Sequence, residues 1–360
     1  MELRHLSIGN LRVIEQQAFD LTPGWNLFIG PNGAGKTSLL EAVFLLSHGR
    51  SFRSGGQDAL VRQGTSGYVV YGELARAAAP EVRRVGLART GARLEARVNG
   101  ESVGVAELLH ETAVVCFEPG SHELICGASE ERRRFLDWGV FHVEHDFLAH
   151  WRRYQRALKQ RNALLRGEIA ELELDVWDAE LARFGEPLSR MRQEYFNAFV
   201  PQVNEVLREL LPELGQVQLE FHPGFDPEHS LEQALAQRRG RDLARGHTSA
   251  GPHRADWSIG FTTAVRREHL SRGQEKLCAL ACVIAQARLF AEHIGEWPIL
   301  CLDDLASEVD AAHQERVGGV VAALPAQILA TATEESIHRV HPRAPAARFH
   351  VEHGHIKTLL

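Results

Sequence analysis

The run Gly30-Pro31-Asn32-Gly33-Ala34-Gly35-Lys36-Thr37 constrains this chain more than any other stretch. It fits G-x-x-x-x-G-K-[ST], a loop that joins a strand to a helix and cradles phosphate. The glycines let successive backbone N–H groups converge on one anion, and the positive end of the following helix adds to the field there. Lys36 has the reach to meet the outer phosphates, and the Thr37 hydroxyl has the chemistry to ligate Mg²⁺. The flanks agree with this reading. Residues 25–29 have the form of a strand, and residues 38–46 have helical propensity with few breakers. A glycine-rich turn that merely caps a helix needs no such strand before it. Residues 30–38 (Gly30, Pro31, Asn32, Gly33, Ala34, Gly35, Lys36, Thr37 and Ser38) are therefore expected to bind ATP.

Two further segments fit the same site. Ile299-Leu300-Cys301-Leu302 is a short apolar run that ends in Asp303-Asp304. A buried parallel strand has this form, and ligands sit beyond the carboxyl ends of such strands. Asp303 is expected to hold Mg²⁺ with Thr37, and Asp304 to polarise the attacking water. Leu270-Ser271-Arg272-Gly273-Gln274 precedes a long helix and offers a hydroxyl, a close backbone approach and a helix N-terminus to an anion. Taken alone, the first is a strand with a capped helix after it and the second is an ordinary N-cap. Taken with the cradle, they place Ser271, Gly273 and Gln274 beside ATP, and make Lys36, Asp303, Asp304 and Ser271 the catalytic candidates.

The rest of the chain supplies the setting. Its 360 residues allow about two domains. Residues 3–8 and 25–29 read as strands, and residues 68–103 as antiparallel hairpins turning at Gly91 and Asn99-Gly100. From Arg132 to about Leu211 the pattern is helical, with a Gly-Glu-Pro break expected near Gly185. The end alternates: helix 273–290, strand 298–302, helix 311–323, strand 326–330, then a hairpin over 349–356. The fold expected is α/β, with a discontinuous head (1–128 and 210–360) that includes an antiparallel β subdomain, and an inserted helical arm (129–209). Five cysteines without a Cys-x-x-Cys pair suit reduced thiols in the cytoplasm, with Cys278 and Cys282 in a core. No leader or uncharged span is seen, so no membrane contact is expected.

Cradle, long middle, Ser-x-Gly-Gln turn and Asp strand follow one another as in ABC-type P-loop ATPase heads, which the chain resembles. In those heads the Ser-x-Gly-Gln turn of one copy closes over ATP held by another. The resemblance implies an ATP-dependent homodimer, with Ser271 acting on the partner's nucleotide and Ser307-Glu308-Val309-Asp310 as the dimer-facing loop. Within that class the chain is similar to the RecF family of bacterial recombinational repair proteins. The likeness rests on Asn10-Leu11-Arg12, His48-Gly49-Arg50-Ser51-Phe52-Arg53, Phe135-Leu136-Asp137-Trp138-Gly139, Lys159-Gln160-Arg161-Asn162 and Gly251-Pro252-His253-Arg254. It implies that Arg12 lies near the nucleotide, that RecR and RecO are partners, and that recombinase loading at DNA gaps is the outcome. Four positions depart from the pattern. Ser129 and Ala255 replace a proline and an aspartate, Glu118-Pro119 lacks the glutamine of other heads, and Thr331-Ala332-Thr333 stands where a switch histidine is usual.

Asp304 is one methylene shorter than glutamate, a loss of roughly 1.5 Å of reach. Slow hydrolysis is expected, which suits a switch better than a motor. The net charge of −7 gives no global pull toward nucleic acid, so contact with double-stranded DNA needs a local surface. Arg152, Arg156 and Lys159 share one helix face, and with Arg132, Arg133, Arg134 and Arg161 they give the early arm a basic excess. Two other readings compete. A transporter's soluble ATPase subunit has no use for the Phe-Leu-Asp-Trp-Gly opening of the arm. A chromosome-structuring SMC protein needs hundreds of heptad residues between cradle and Ser271. The 19 histidines include His338, His341, His353 and His355, but no thiol or carboxylate completes a ligand set, so no metal beyond Mg²⁺ is expected.

Overall fold

The computed structural model describes residues 1–53, 55–77, 79–167, 171–263, 267–333 and 345–359. His338 and His341 lie outside the described residues. The first strands are β1 (Glu2–Leu11), β2 (Ile14–Asp20), β3 (Trp25–Ile29), β4 (Gly67–Arg76), β5 (Ala79–Thr90), β6 (Arg93–Val98), β7 (Glu101–Val103) and β8 (Val114–Phe117). Later come β9 (Val217–His222), β10 (Asp256–Phe261), β11 (Ile299–Leu302), β12 (Ile328–Ala332), β13 (Ala347–Glu352) and β14 (His355–Thr358). The chain forms two compact units: Met1–His122 with Glu205–Glu213 and Leu270–Leu360, and Glu123–Asn204 with Leu214–His269.

The first unit holds two sheets among the described residues. One is antiparallel, in the order β2-β1-β4-β5-β6-β7. Its strands alternate buried and exposed residues, as expected when one face meets a core and the other meets water. The other runs β14-β13-β3-β12-β11-β8, with every neighbouring pair parallel except the terminal hairpin. Here β11 and β12 are buried at every position, the mark of strands covered on both faces. The helix Lys36–His48 touches β1, β4 and β5 of the first sheet and β8 and β12 of the second. That position explains why its apolar residues do not keep to one stripe: Leu39, Leu40, Val43, Leu45 and Leu46 are all fully buried. Each contributes about 1.5–3 kcal/mol, so the cradle's helix is anchored on all sides.

The helix Arg272–Ile294 starts with a reciprocal capping box between Ser271 and Gln274. It is long and apolar enough to cross a membrane by length and composition, but most of it is buried inside this unit, as in a core helix. Cys278 and Cys282 lie in its buried part, and burial pushes both thiols up, Cys278 to about 12.

The second unit gathers the helices Ser129–Val143, Phe147–Leu164 and Leu231–Arg245, most of the helix Glu171–Leu210, and the antiparallel pair β9–β10. Two expectations meet a different outcome. Residues 214–269 group with the arm rather than with the head. Trp257 of β10 packs at a tilt against Phe196, and Asp242 pairs with Arg161, so the burial of this segment depends on arm helices. The break near Gly185 is also absent, and Glu171–Leu210 is one helix with Pro187 and Pro201 inside it. A proline in a helix interior costs about 3 kcal/mol. Burial of Leu181, Phe184, Leu188, Tyr195, Phe196 and Phe199 on the same helix outweighs that penalty.

Candidate nucleotide-binding site

The cradle lies between β3 and the helix Lys36–His48. Two of its glycines are demanded by geometry. A Cβ on Gly30 would stand 2.0 Å from the Val351 carbonyl oxygen, and Gly35 has φ 110°. The terminal hairpin braces the loop from below, where the Gly354 N–H donates to the Ala34 carbonyl at 2.8 Å. Pro31, Asn32 and Gly33 form an exposed crest, whereas Ala34, Gly35 and Ser38 are buried. The Lys36 ammonium donates to the carbonyls of Gly30 (2.7 Å) and Pro31 (3.0 Å). Burial lowers its pKa, and the charges of Asp304 and Asp303 oppose that shift.

Asp303 directly follows β11, the strand between β12 and the edge strand β8, and is 3% exposed. The Thr37 hydroxyl donates to its carboxylate, at 2.9 Å to Oδ2 and 3.2 Å to Oδ1. Burial raises the pKa of Asp303, while hydrogen bonds from Thr331 and Thr37 and the charge of Lys36 pull it back. Asp304 follows in the left-handed region, φ 49° and ψ 35°, where aspartate is among the few tolerated side chains. Its Oδ1 accepts from the Ser307 hydroxyl at 2.9 Å. Lys36, Thr37, Asp303 and Asp304, far apart in sequence, thus meet at the carboxyl end of one sheet.

Thr331 was not among the residues expected here. Its hydroxyl donates to Asp303 Oδ1 at 2.7 Å and accepts the Asp304 N–H at 2.9 Å. A threonine late in an apolar strand carries no signal of its own; the register of β12 against β11 gives it meaning. Arg12, expected near the nucleotide, is paired with Glu41 on the helix that follows the cradle. Its guanidinium clasps Glu41 at 2.9 and 2.7 Å and donates to the Ala59 carbonyl at 2.6 Å, so it neutralises a fully buried carboxylate that Ser51 also contacts. Neighbouring Val13 approaches Gly35 and Gly354.

Ser271 is exposed, and its hydroxyl accepts the Gln274 N–H at 3.2 Å while Gln274 returns a bond to the Ser271 N–H. Gly273 lies against Asp310, and Lys276 pairs with Glu308 at 2.5 Å. The Ser-x-Gly-Gln turn is therefore held to the loop that follows the Asp strand.

The basic surface needs correction. Arg132 is 3% exposed and forms a two-pronged pair with Asp256, so it is a structural cation and not a DNA contact. Burial pushes Asp256 up, but the hydrogen bond and charge of Arg132 outweigh it and leave its pKa lowered. Arg161 is fully buried between Asp178 and Asp242. Arg133 donates to the Ala255 carbonyl, and Arg134 is engaged by Glu130 and Glu131 one helical turn away. Arg152, Arg156 and Lys159 are exposed, while Tyr154, Leu158 and Leu165 face inward. Sequence spacing gave that face, but it could not show which arginines had acidic partners far along the chain.

Comparison with known proteins shows the family and agrees with the fold. A sequence model of the RecF/RecN/SMC N-terminal domain family matches residues 2–356. The DNA replication and repair protein RecF of Stenotrophomonas maltophilia is 48% identical over 99% of both chains. RecF of Xanthomonas euvesicatoria is also 48% identical, over 99% of this chain and 98% of its own. Among solved structures, the recombination mediator protein RecF with ATP, from the RecFOR pathway, superposes with a TM-score of 0.89 at 25% identity, covering 99% of this chain and 97% of that one. An Smc head domain from Pyrococcus furiosus shares the fold at a TM-score of 0.59 and 15% identity, over 99% of this chain and 95% of its own. The transporter-subunit reading is set aside by these matches. The chain belongs to the RecF family of DNA replication and repair proteins, within the wider group of RecF, RecN and SMC N-terminal domains.

Proposed function

We propose that this protein is an ATP-gated DNA clamp in which two copies enclose two ATP molecules and release them by slow hydrolysis. The observation that carries the reading is the 2.9 Å bond between Thr37 of the cradle and Asp303 of the distant Asp strand. A hydroxyl and a carboxylate are hard oxygen donors, and among the described residues no cluster of three or more His, Cys, Asp or Glu is present. That set fits Mg²⁺, which keeps several waters and takes its remaining ligands from phosphate. Bound there with Thr37 and Asp303, Mg²⁺ would neutralise charge on the outer phosphates. Lys36 and the N–H groups of residues 33–37 meet the same phosphates, and Asp304 orients the attacking water. RecF structures solved with ATP and with ATPγS support the choice of nucleotide.

Ser271, exposed on its capping box, closes the partner's site, where its hydroxyl and the helix N-terminus meet the γ-phosphate. Arg152, Arg156 and Lys159 then track duplex phosphates next to gaps, and proteins with the roles of RecR and RecO dock on the closed form to load recombinase in the cytoplasm. Sedimentation with and without ATP and Mg²⁺ tests the gate. Wild type pairs only with ATP. Lys36→Ala stays monomeric and loses nucleotide, whereas Ser271→Arg binds ATP and stays monomeric. A Ser271→Arg protein that dimerises like wild type would remove Ser271 from the interface and end this reading.

A further inference from the structure

We propose that Thr331 is a positioning residue for hydrolysis: its single hydroxyl aims the Asp303 carboxylate at Thr37 and locks the left-handed turn that presents Asp304. The inference rests on the assignment of Asp303 and Asp304 to the nucleotide just made. A hydroxyl has one proton to give and lone pairs to accept with. In Thr331 the proton goes to Asp303 Oδ1 at 2.7 Å, and a lone pair takes the Asp304 N–H at 2.9 Å. Asp303 is held from the other side by Thr37, so its carboxylate has a donor on each flank and one fixed orientation. Asp304 at φ 49° is in a conformation that L-residues avoid, and a turn of this kind persists only where its surroundings impose it. The Thr331 bond to its N–H and the Ser307 bond to its carboxylate are two such restraints.

The location makes the hydroxyl hard to replace. Thr331 and Asp303 are each 3% exposed, so water does not readily replace the lost bond to the Asp303 carboxylate. It also stands in the stretch where other heads place a switch histidine, and a threonine there cannot reach a phosphate through an imidazole. Its contribution comes through the two aspartates.

The test compares Thr331→Val, Thr331→Ser and Thr331→Ala with wild type. A fluorescent ATP analogue reads affinity with and without Mg²⁺, and a single-turnover assay reads hydrolysis. Thr331→Ser is expected to keep both the Mg²⁺-dependent gain in affinity and the hydrolysis rate within about threefold of wild type. Thr331→Val is expected to lose about tenfold or more of each, the size of a lost hydrogen bond to a charged group, with affinity in EDTA unchanged. If the valine variant does not fold, serine and alanine, which both lack the methyl and differ in the hydroxyl, carry the same comparison. Equal behaviour of valine (or alanine) and wild type overturns the inference, as does a serine variant as defective as they are. A wild-type protein with no Mg²⁺-dependent gain overturns the assignment of Asp303 first, and this inference with it.

Discussion

Single residues here separate into those proposed to meet a nucleotide and those that keep the frame. His253 belongs to the frame. The Tyr154 hydroxyl lies 2.7 Å from its Nδ1, and its Nε2 lies 3.0 Å from the Thr248 carbonyl, an arrangement for a neutral ring that donates through Nε2. Burial, then the charges of Arg254 and Arg133, lower its pKa to about 4, against the raising influence of the Thr248 bond and Asp242. As pH falls below the unfolded value of about 6.5, the unfolded chain takes up a proton that the folded ring refuses. Stability is therefore full above that pH and falls progressively toward pH 4, by about 3 kcal/mol from this group. Urea unfolding at pH 7.5 and 4.5 checks it: His253→Gln should show a smaller loss between the two than wild type. Asp304 carries the opposite lesson. It looked like a shortened glutamate, yet its left-handed backbone is a reason for aspartate, the side chain that tolerates that turn.

Elements follow the hydrophobic pattern wherever a segment folds on local rules. The strand–loop–helix of the cradle, the apolar Asp strand and the terminal hairpin all stand where periodicity and turn residues put them. The arm shows where such rules stop. Gly185 and Pro187 are breakers by propensity, but Gly185 sits against Leu231 and Tyr154, and the helix runs on because its packed face requires it. Gly139, at the end of the Phe-Leu-Asp-Trp-Gly segment, is a related case. A Cβ there would lie 2.1 Å from the Tyr195 hydroxyl, so two helices touch through a missing side chain. Alanine at a helix-interior glycine ordinarily stabilises by about 1 kcal/mol. At Gly139 overpacking wins, and Gly139→Ala should destabilise by about 1–3 kcal/mol, read as a lower urea midpoint. A midpoint at or above wild type would show that Tyr195 has room to move.

For the whole molecule, charge is a matter of placement rather than total. With a net charge of −7, the proposed contact with duplex phosphates has to rest on cations that have no acidic partner of their own. Replacing Arg152, Arg156 and Lys159 with alanine should lower the slope of log affinity against log salt by about 2–3, because each lost phosphate contact removes about 0.9. Arg132→Ala should leave the slope alone and instead destabilise the fold by about 1.5–3 kcal/mol, since the partly exposed Asp256 loses its charged hydrogen-bond partner. Titrating DNA affinity over a salt series separates the two. Unchanged slopes in the triple variant would move the DNA surface elsewhere. The amino-acid sequence alone determined the α/β class and the residues of the cradle and the Asp strand, because local periodicity and short motifs encode them directly. Tertiary structure alone decided which arginines are held by aspartates, that residues 214–269 join the arm, and that Thr331 bonds to the Asp303 carboxylate and the Asp304 N–H. These are contacts between segments far apart in the chain, and pairing across such distances leaves no periodicity for a sequence to display.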